Sequence, residues 1–404
     1  MFLKVRFKLD RSYLKVTNDR FNQVLVTGAN GFLGQPLVAA LKRNNLFKYF
    51  THKIFKTTVF VSKENILDDC IFYKQEFPFI KYQTTEFAPA INALFNKWAF
   101  SGELEYLVLY NKKGMIEPQY GWFVNSSNEI IQKSLPYGET FITPIPNYIL
   151  YIRRKIIKID KAVSIRYNWF NYWHFFNDVI GQLYLLDINN FDKDIPIVLP
   201  KEALKLSYVK YFFDTEYAKK WNWIFQDNET FIEVKAIYFC KSTPNIKAQF
   251  IYGASIFKQG IHVTDILNKK IFVTRMQNRG RTILNINLIN DLLHKYKFEI
   301  IDCDNLSTAQ QICIFSSADI IVGIHGAGLT NMIFRYPYKC TLIEIFPPDM
   351  TPTHYYWLAK ELGYDYDAIM GTGGDRNSFV VDITQLETTL KKCLKFGQKG
   401  TCNS

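Results

Sequence analysis

The chain has 404 residues, 48% of them hydrophobic and 21% charged, a balance that belongs to globular proteins and excludes disorder as its main state. Its net charge of +12 points to an anionic or phosphate-bearing partner, while the lack of any RNP, zinc-finger or basic-zipper pattern counts against nucleic acid. Seven cysteines without a C-x-x-C pair signal neither a disulfide framework nor a zinc site, and no apolar run reaches the ~18 residues of a membrane span.

The length exceeds what one core usually supports, so more than one domain is expected. The N-terminal "MFLKVRFKLDRSYLKV" carries charges every few residues and lacks the h-region of a signal peptide, which predicts a cytoplasmic chain, soluble or membrane-peripheral. "QVLVTG" reads as a strand and "PLVAALKRN" as a helix, joined by glycines at 28, 31 and 34. Strand-like pieces follow at "TTVFVS", "EYLVLY" and "GWFVN".

From 160 the pattern sharpens. "AVSIRY" predicts a strand, "YWHFFNDVIGQLYLLDI" a helix, "IPIVLP" a strand, then come a helix from Glu202, the strand "FIEVKAIYF" and an irregular stretch to 269. Strands at 270–275, 298–303, 319–326 and 340–347 then alternate with helices at 283–296, 308–318, 329–337 and 354–363. Alternation of near-continuous apolar strands with helices predicts a doubly wound parallel sheet whose ligand lies beyond the carboxyl ends of its strands.

Two places compete for chemistry. "TGANGFLG" resembles the start of an extended short-chain dehydrogenase or epimerase, and Tyr151 and Lys155, with Ser126 and Ser127, supply that family's proton-shuttling residue types. The strand after the loop carries no acid at its tip for a ribose, and "YIRRKIIKID" alternates as a strand rather than a helix. The other place is "IVGIHGAGLTN". His325 ends a parallel strand, Gly326 and Gly328 would let a ligand approach the backbone, and the helix that follows favours an anion.

"NYWHFFNDVIGQL", "RMQNRGRTILN", "STAQQICIFSSADIIVGIHGAGLTNMIF" and "TLIEIFPP", in that order, resemble glycosyltransferase family 61 over about residues 105–370. The resemblance implies an α/β fold of two Rossmann-like domains (GT-B type), with a divergent N-terminal region over 1–100, an acceptor-side domain over 101–265 and a nucleotide-sugar-binding domain over 266–404. It implies inverting transfer from a nucleotide diphosphate sugar to a hydroxyl of a polysaccharide or surface glycan, with no cofactor and no obligatory metal. A lipid-linked or polysaccharide acceptor at an anionic membrane surface fits the chain's basic charge. An NAD(P)-dependent nucleotide-sugar epimerase or dehydrogenase using the 24–34 loop is the alternative.

On this resemblance Arg275, Arg281 and Asn285 hold the diphosphate, together with the turn formed by His325, Gly326, Gly328, Thr330 and Asn331. Glu344, near a strand tip, would accept the ribose hydroxyls. His174 and Asp178 share one helix face, and Asp178 is the expected base with His174 as its orienter, or the roles are exchanged. Asn171 either belongs to that site or caps the helix. Asp-x-Asp triplets at 192–194, 302–304 and 365–367 are read as chance occurrences.

Overall fold

A computed structural model describes residues 60–62, 70–80, 84–97, 100–118, 120–127, 129–131, 155–242, 247–261, 268–275, 280–348, 350 and 352–399. The glycine loop at 28–34, the strand and helix read around it, Tyr151 and the segment 276–279 lie outside the described residues. The described residues fall into two compact units. One takes 60–62, the described part of 111–160, and 226–236; the other takes 70–110, 161–225 and 237–399. The boundary expected at 265 and 266 falls inside the larger unit.

The smaller unit is built from short strands. Gly114–Ile116 pairs antiparallel with Phe123–Asn125, and Phe60–Ser62 runs parallel to Glu129–Ile131. The turn between the first two is held by the Glu117 carboxylate, which accepts from the backbone N–H groups of Tyr120 and Trp122.

In the larger unit, Phe100–Tyr110 is antiparallel both to Cys70–Ile80 and to residues 237–241. Val163 and Ser164 pair in parallel with Ile197 and Val198. The strands over 101–265 are therefore mixed in direction, which departs from the wholly parallel sheet expected of a Rossmann-like domain there.

The C-terminal part of this unit meets expectation. β1 (Lys269–Val273), β2 (Glu299–Ile301), β3 (Ala318–Ile324), β4 (Thr341–Phe346) and β5 (Asp365–Met370) form one parallel sheet in the order β2-β1-β3-β4-β5. Alternate residues feed opposite faces. Phe272, Val322 and Ile343 pack under the helices Ile286–Lys295 and Ile383–Lys399, while Ile271, Ile321 and Leu342 join the larger core with the helices Thr308–Ser316 and His354–Leu362. In this strand order the chain changes direction between β1 and β3, the place where doubly wound sheets bind ligands. Arg275 and His325 lie just past the ends of those two strands.

The segment that precedes β1 departs from the sequence reading. Lys247–Phe257, taken as irregular, is an eleven-residue helix burying Phe250, Ile256 and Phe257. It packs against the helical run 172–188, where Gly253 seats the side chains of Phe176 and Ile180. Being covered on more than one side, it carries no amphipathic period for the sequence to reveal.

Candidate active site

The helical run begins at Asn171, whose side-chain oxygen accepts from the backbone N–H groups of Trp173 and His174, so Asn171 is a cap. The run comprises Tyr172–His174, a wider π-type turn over Phe175–Val179, and Ile180–Ile188. Inserted wide turns of this kind recur at functional positions. His174 and Asp178 lie on this portion, with Nδ1 of His174 2.8 Å from Oδ2 of Asp178. Asn168 donates to the same oxygen at 2.5 Å and Asn177 donates to Oδ1 at 2.7 Å. Asn168 has a φ of 66°, a left-handed conformation that asparagine tolerates better than most residues.

Three side chains, Asn168, His174 and Asn177, thus converge on this one carboxylate. With Nδ1–H donated to Asp178, the Nε2 lone pair of a partly exposed His174 is left to act on a hydroxyl.

The turn after β3 lies in the same unit. The hydroxyl of Tyr172 donates to Oδ1 of Asn331 at 2.7 Å, and Asn331 in turn donates to Gln311 and to the carbonyl of Gly328. Burial holds the Tyr172 phenol well above its ordinary pKa, so it remains a donor. Asn331 is fully buried and spent on these contacts, a brace for the turn rather than a ligand-facing amide. Thr330 is also fully buried. The helix expected over 329–337 starts earlier, at Ala327, and is a tight 3-10 helix running to Arg335.

His325 is 5% exposed, stacked on Phe346, and its Nδ1 faces the Glu344 carboxylate. Glu344 is fully buried in β4, and its other oxygen accepts from the Tyr366 hydroxyl at 2.6 Å. Both oxygens are engaged inside the protein, so Glu344 does not offer the ribose contact expected of it. It fixes the imidazole of His325 instead and leaves Nε2 as that ring's remaining polar atom. Asn285 bonds to the backbone of the chain beside it. Its amide donates to Val381 O at 2.8 Å and its oxygen accepts from Val381 N at 3.1 Å, which pins 378–381 beside the short strand Thr282–Ile283.

The glycines serve the protein's own side chains. A Cβ on Gly326 would collide with the Arg275 guanidinium and come within 3.5 Å of Arg281, and one on Gly328 would meet Cys303 and Val273. Arg281 donates to the carbonyl of His325 at 2.5 Å. Its φ of 60° follows Gly280 at 69°, two left-handed residues that turn the chain back over β3. Its pKa is lowered by loss of solvent and then by the like charges of Arg275 and Arg376. Among the described residues no carboxylate forms a direct ion pair with Arg275 or Arg281; the buried Glu344 carboxylate reaches Arg281 only through space and is itself engaged by His325 and Tyr366. Such a cluster of arginines is a seat for an anion.

His354, which the sequence reading passed over, opens the helix after β4. Its ring stacks on Trp173 with centroids 5.2 Å apart, and it is held neutral, its pKa pushed down to about 3 by desolvation and then by the imidazoles of His325 and His174. The signal was its position: a histidine at the start of the helix that follows a parallel strand, on the side of the sheet where such folds bind ligands. Asp302 of one Asp-x-Asp triplet caps a local turn through the N–H of Asp304. Among the described residues no group of three His, Cys, Asp or Glu side chains is placed to hold a metal ion, and no helix is long and apolar enough to cross a membrane.

Comparison with known proteins falls on this region. Residues 172–343 match the family model described as Glycosyltransferase 61, less than half of the chain and narrower than the 105–370 read from motifs. A beta-1,2-xylosyltransferase of Arabidopsis thaliana is 32% identical over 118 residues, which cover 29% of this chain and 20% of the relative. An alpha-1,3-arabinosyltransferase of Oryza sativa subsp. japonica is 36% identical over 75 residues, 18% of this chain and 13% of the relative. The matched stretches thus span a fifth or less of the relatives' own length. The segment that holds His174, Asp178, Arg275, Arg281 and His325 is the segment similar to glycosyltransferase family 61.

Proposed function

We propose that the chain is an inverting glycosyltransferase that moves a sugar from a nucleoside diphosphate sugar to a hydroxyl of a glycan. The observation that carries this reading is the meeting, in one compact unit, of the His174–Asp178 pair with the arginine-flanked turn at 325–328. In this scheme Nε2 of His174 takes the acceptor hydroxyl proton while Asp178 holds the ring, the exchanged form of the roles expected from sequence. The acceptor oxygen bonds to the anomeric carbon from the face opposite the diphosphate. The bond from that carbon to the diphosphate breaks, and its electron pair leaves on the phosphate oxygen, stabilised by Arg275, Arg281 and Arg376.

We read the doubly wound half as the donor side and the mixed-strand half as the acceptor side of a GT-B arrangement. The names of the relatives, a xylosyltransferase and an arabinosyltransferase, favour a pentose as the transferred sugar. The arginines supply the positive charge that a divalent ion supplies in other transferases, so activity should survive EDTA. The net charge of +12 also fits contact with an anionic bilayer, and failure to sediment with anionic vesicles at low salt would remove that part of the reading.

Calorimetric titration of the purified protein with UDP, GDP, CMP and NADH tests the whole. A nucleoside diphosphate should bind, and bind more weakly to Arg281→Ala. Binding of NADH alone would overturn the reading.

A further inference from the structure

His354 is a titratable side chain that the scheme above leaves without work. It sits where the two halves of the site meet. Its ring is stacked on Trp173, the residue before the proposed base, with centroids 5.2 Å apart and planes inclined at 30°. Its chain neighbour Tyr355 packs against Trp173 at 5.1 Å and against His325 at 5.4 Å. Trp173 therefore touches both residues that open the 354–362 helix, and His354 lies in the electrostatic reach of His174 on one side and His325 on the other. His354 is a half-buried residue, whereas Tyr355 beside it is fully buried.

An ordered transfer runs along this same line. The acceptor hydroxyl belongs beside His174, the diphosphate beside Arg275 and Arg281, and the sugar in transit between them. We propose that His354 is a substrate-binding residue whose imidazole hydrogen-bonds a hydroxyl of the transferred sugar, between the acceptor and diphosphate ends of the site. The inference rests on the glycosyltransferase reading and deepens it by naming a contact to the sugar rather than to the nucleotide.

The chemistry suits the place. A neutral imidazole offers one donor and one acceptor to a sugar hydroxyl, which is itself both. A cation there would add to three arginines and draw the phosphate away from them, whereas the neutral ring leaves the diphosphate to the guanidinium groups. The face-on stack with Trp173 fixes the ring plane, so the direction of its hydrogen bond is set before substrate arrives.

The test compares, for each protein, the affinity for UDP with the affinity for UDP-xylose, and for GDP with GDP-mannose. Failure of the wild type to bind any of the four overturns the function proposed above, a result separate from the outcomes for the variants. His354→Phe keeps an aromatic ring against Trp173 and loses the hydrogen bond. It should bind the bare nucleotide as the wild type does while losing about ten-fold in the advantage that the sugar confers, the size of one well-made hydrogen bond. His354→Gln, which can still donate and accept, should recover part of that loss. If His354→Phe and His354→Gln both keep the wild-type ratio of nucleotide-sugar to nucleotide affinity, the ring is a packing spacer and the inference is wrong. If His354→Phe weakens UDP and UDP-xylose equally, the contact is to phosphate and the assignment to the sugar is wrong as well.

Discussion

The guanidinium of Arg275 lies against the α-carbon of Gly326, in the volume that any side chain at 326 would fill. The backbone of Gly326 is extended, a conformation open to every residue, so the glycine is needed there for space. Gly326→Ala should drive Arg275 off the turn at a cost of roughly 1–3 kcal/mol in stability and with a marked loss of nucleotide affinity. Gly328→Ala, whose added methyl meets Cys303 and Val273 at 3.4 Å, should be milder on both counts. Chemical denaturation alongside nucleotide titration of the two variants checks the order.

Removing the charge of Asp178 should uncouple chemistry from binding. Asp178→Asn keeps the side chain's shape but takes away the acceptor that orients His174 and places an amide against the amides of Asn168 and Asn177. A fall in kcat on the order of 10²–10⁴ is expected, with nucleotide affinity near that of the wild type. His174→Ala should fall at least as far. Steady-state kinetics of the two settle which group takes the proton: a His174→Ala enzyme faster than Asp178→Asn would return the role of base to Asp178.

Glu344 offers a sharp contrast between fold and ligand. With Glu344→Ala the buried hydroxyl of Tyr366 and Nδ1 of His325 both lose their acceptor, and breaking a buried pair of this kind costs roughly 3–5 kcal/mol. The protein should lose stability first and nucleotide affinity only through His325. If Glu344→Gln instead kept its denaturation midpoint and lost selectivity for ribose over deoxyribose, the carboxylate would be a ligand-facing group after all.

Arg376 should show the opposite balance. It adds like charge to Arg281, so Arg376→Ala relieves repulsion in the empty protein while removing part of the seat for phosphate. The melting temperature without ligand should hold or rise, and the thermal shift produced by UDP should shrink. A drop in both would mean that the arginine serves the fold.

The histidine at 354 gives stability a pH dependence of known sign. Its pKa is about 3 in the folded protein and near 6.5 when exposed, because burial and the imidazoles of His325 and His174 oppose its charge. Between those values the unfolded chain binds a proton that the folded chain refuses, so stability is fully present above 6.5 and declines as pH falls toward 3. Melting curves from pH 7 to pH 5, before most carboxylates titrate, should show this decline, and His354→Phe should flatten it. An unchanged slope in the variant would place the linkage elsewhere.

How far the sequence could be read follows from where its information lies. The helical run at 172–188 was legible because its apolar residues recur at helical spacing, and with it came the juxtaposition of His174 and Asp178. The parallel sheet was legible because buried strands are apolar throughout. The Lys247–Phe257 helix was hidden for a related reason, since contacts on several faces erase the periodicity that marks a helix. The role of Glu344 was hidden differently. Its place on a strand shows only that it alternates with its neighbours, whereas its partners, His325 and Tyr366, stand 19 and 22 positions away and are set by strand register. His354 and Arg376 are single residues without a motif, and only packing brings them to the others.

The hydrogen bond from Tyr172 to Asn331 has a mechanical consequence. It joins the first turn of the helical run that carries His174 to the arginine-flanked turn, through the phenol of a half-buried tyrosine and a fully buried amide. Parting those elements would strip two polar groups of their partners inside the protein, an expensive way to open a door. That bond therefore ties the proposed base and the proposed phosphate seat to one another, so that a shift of either is felt by both.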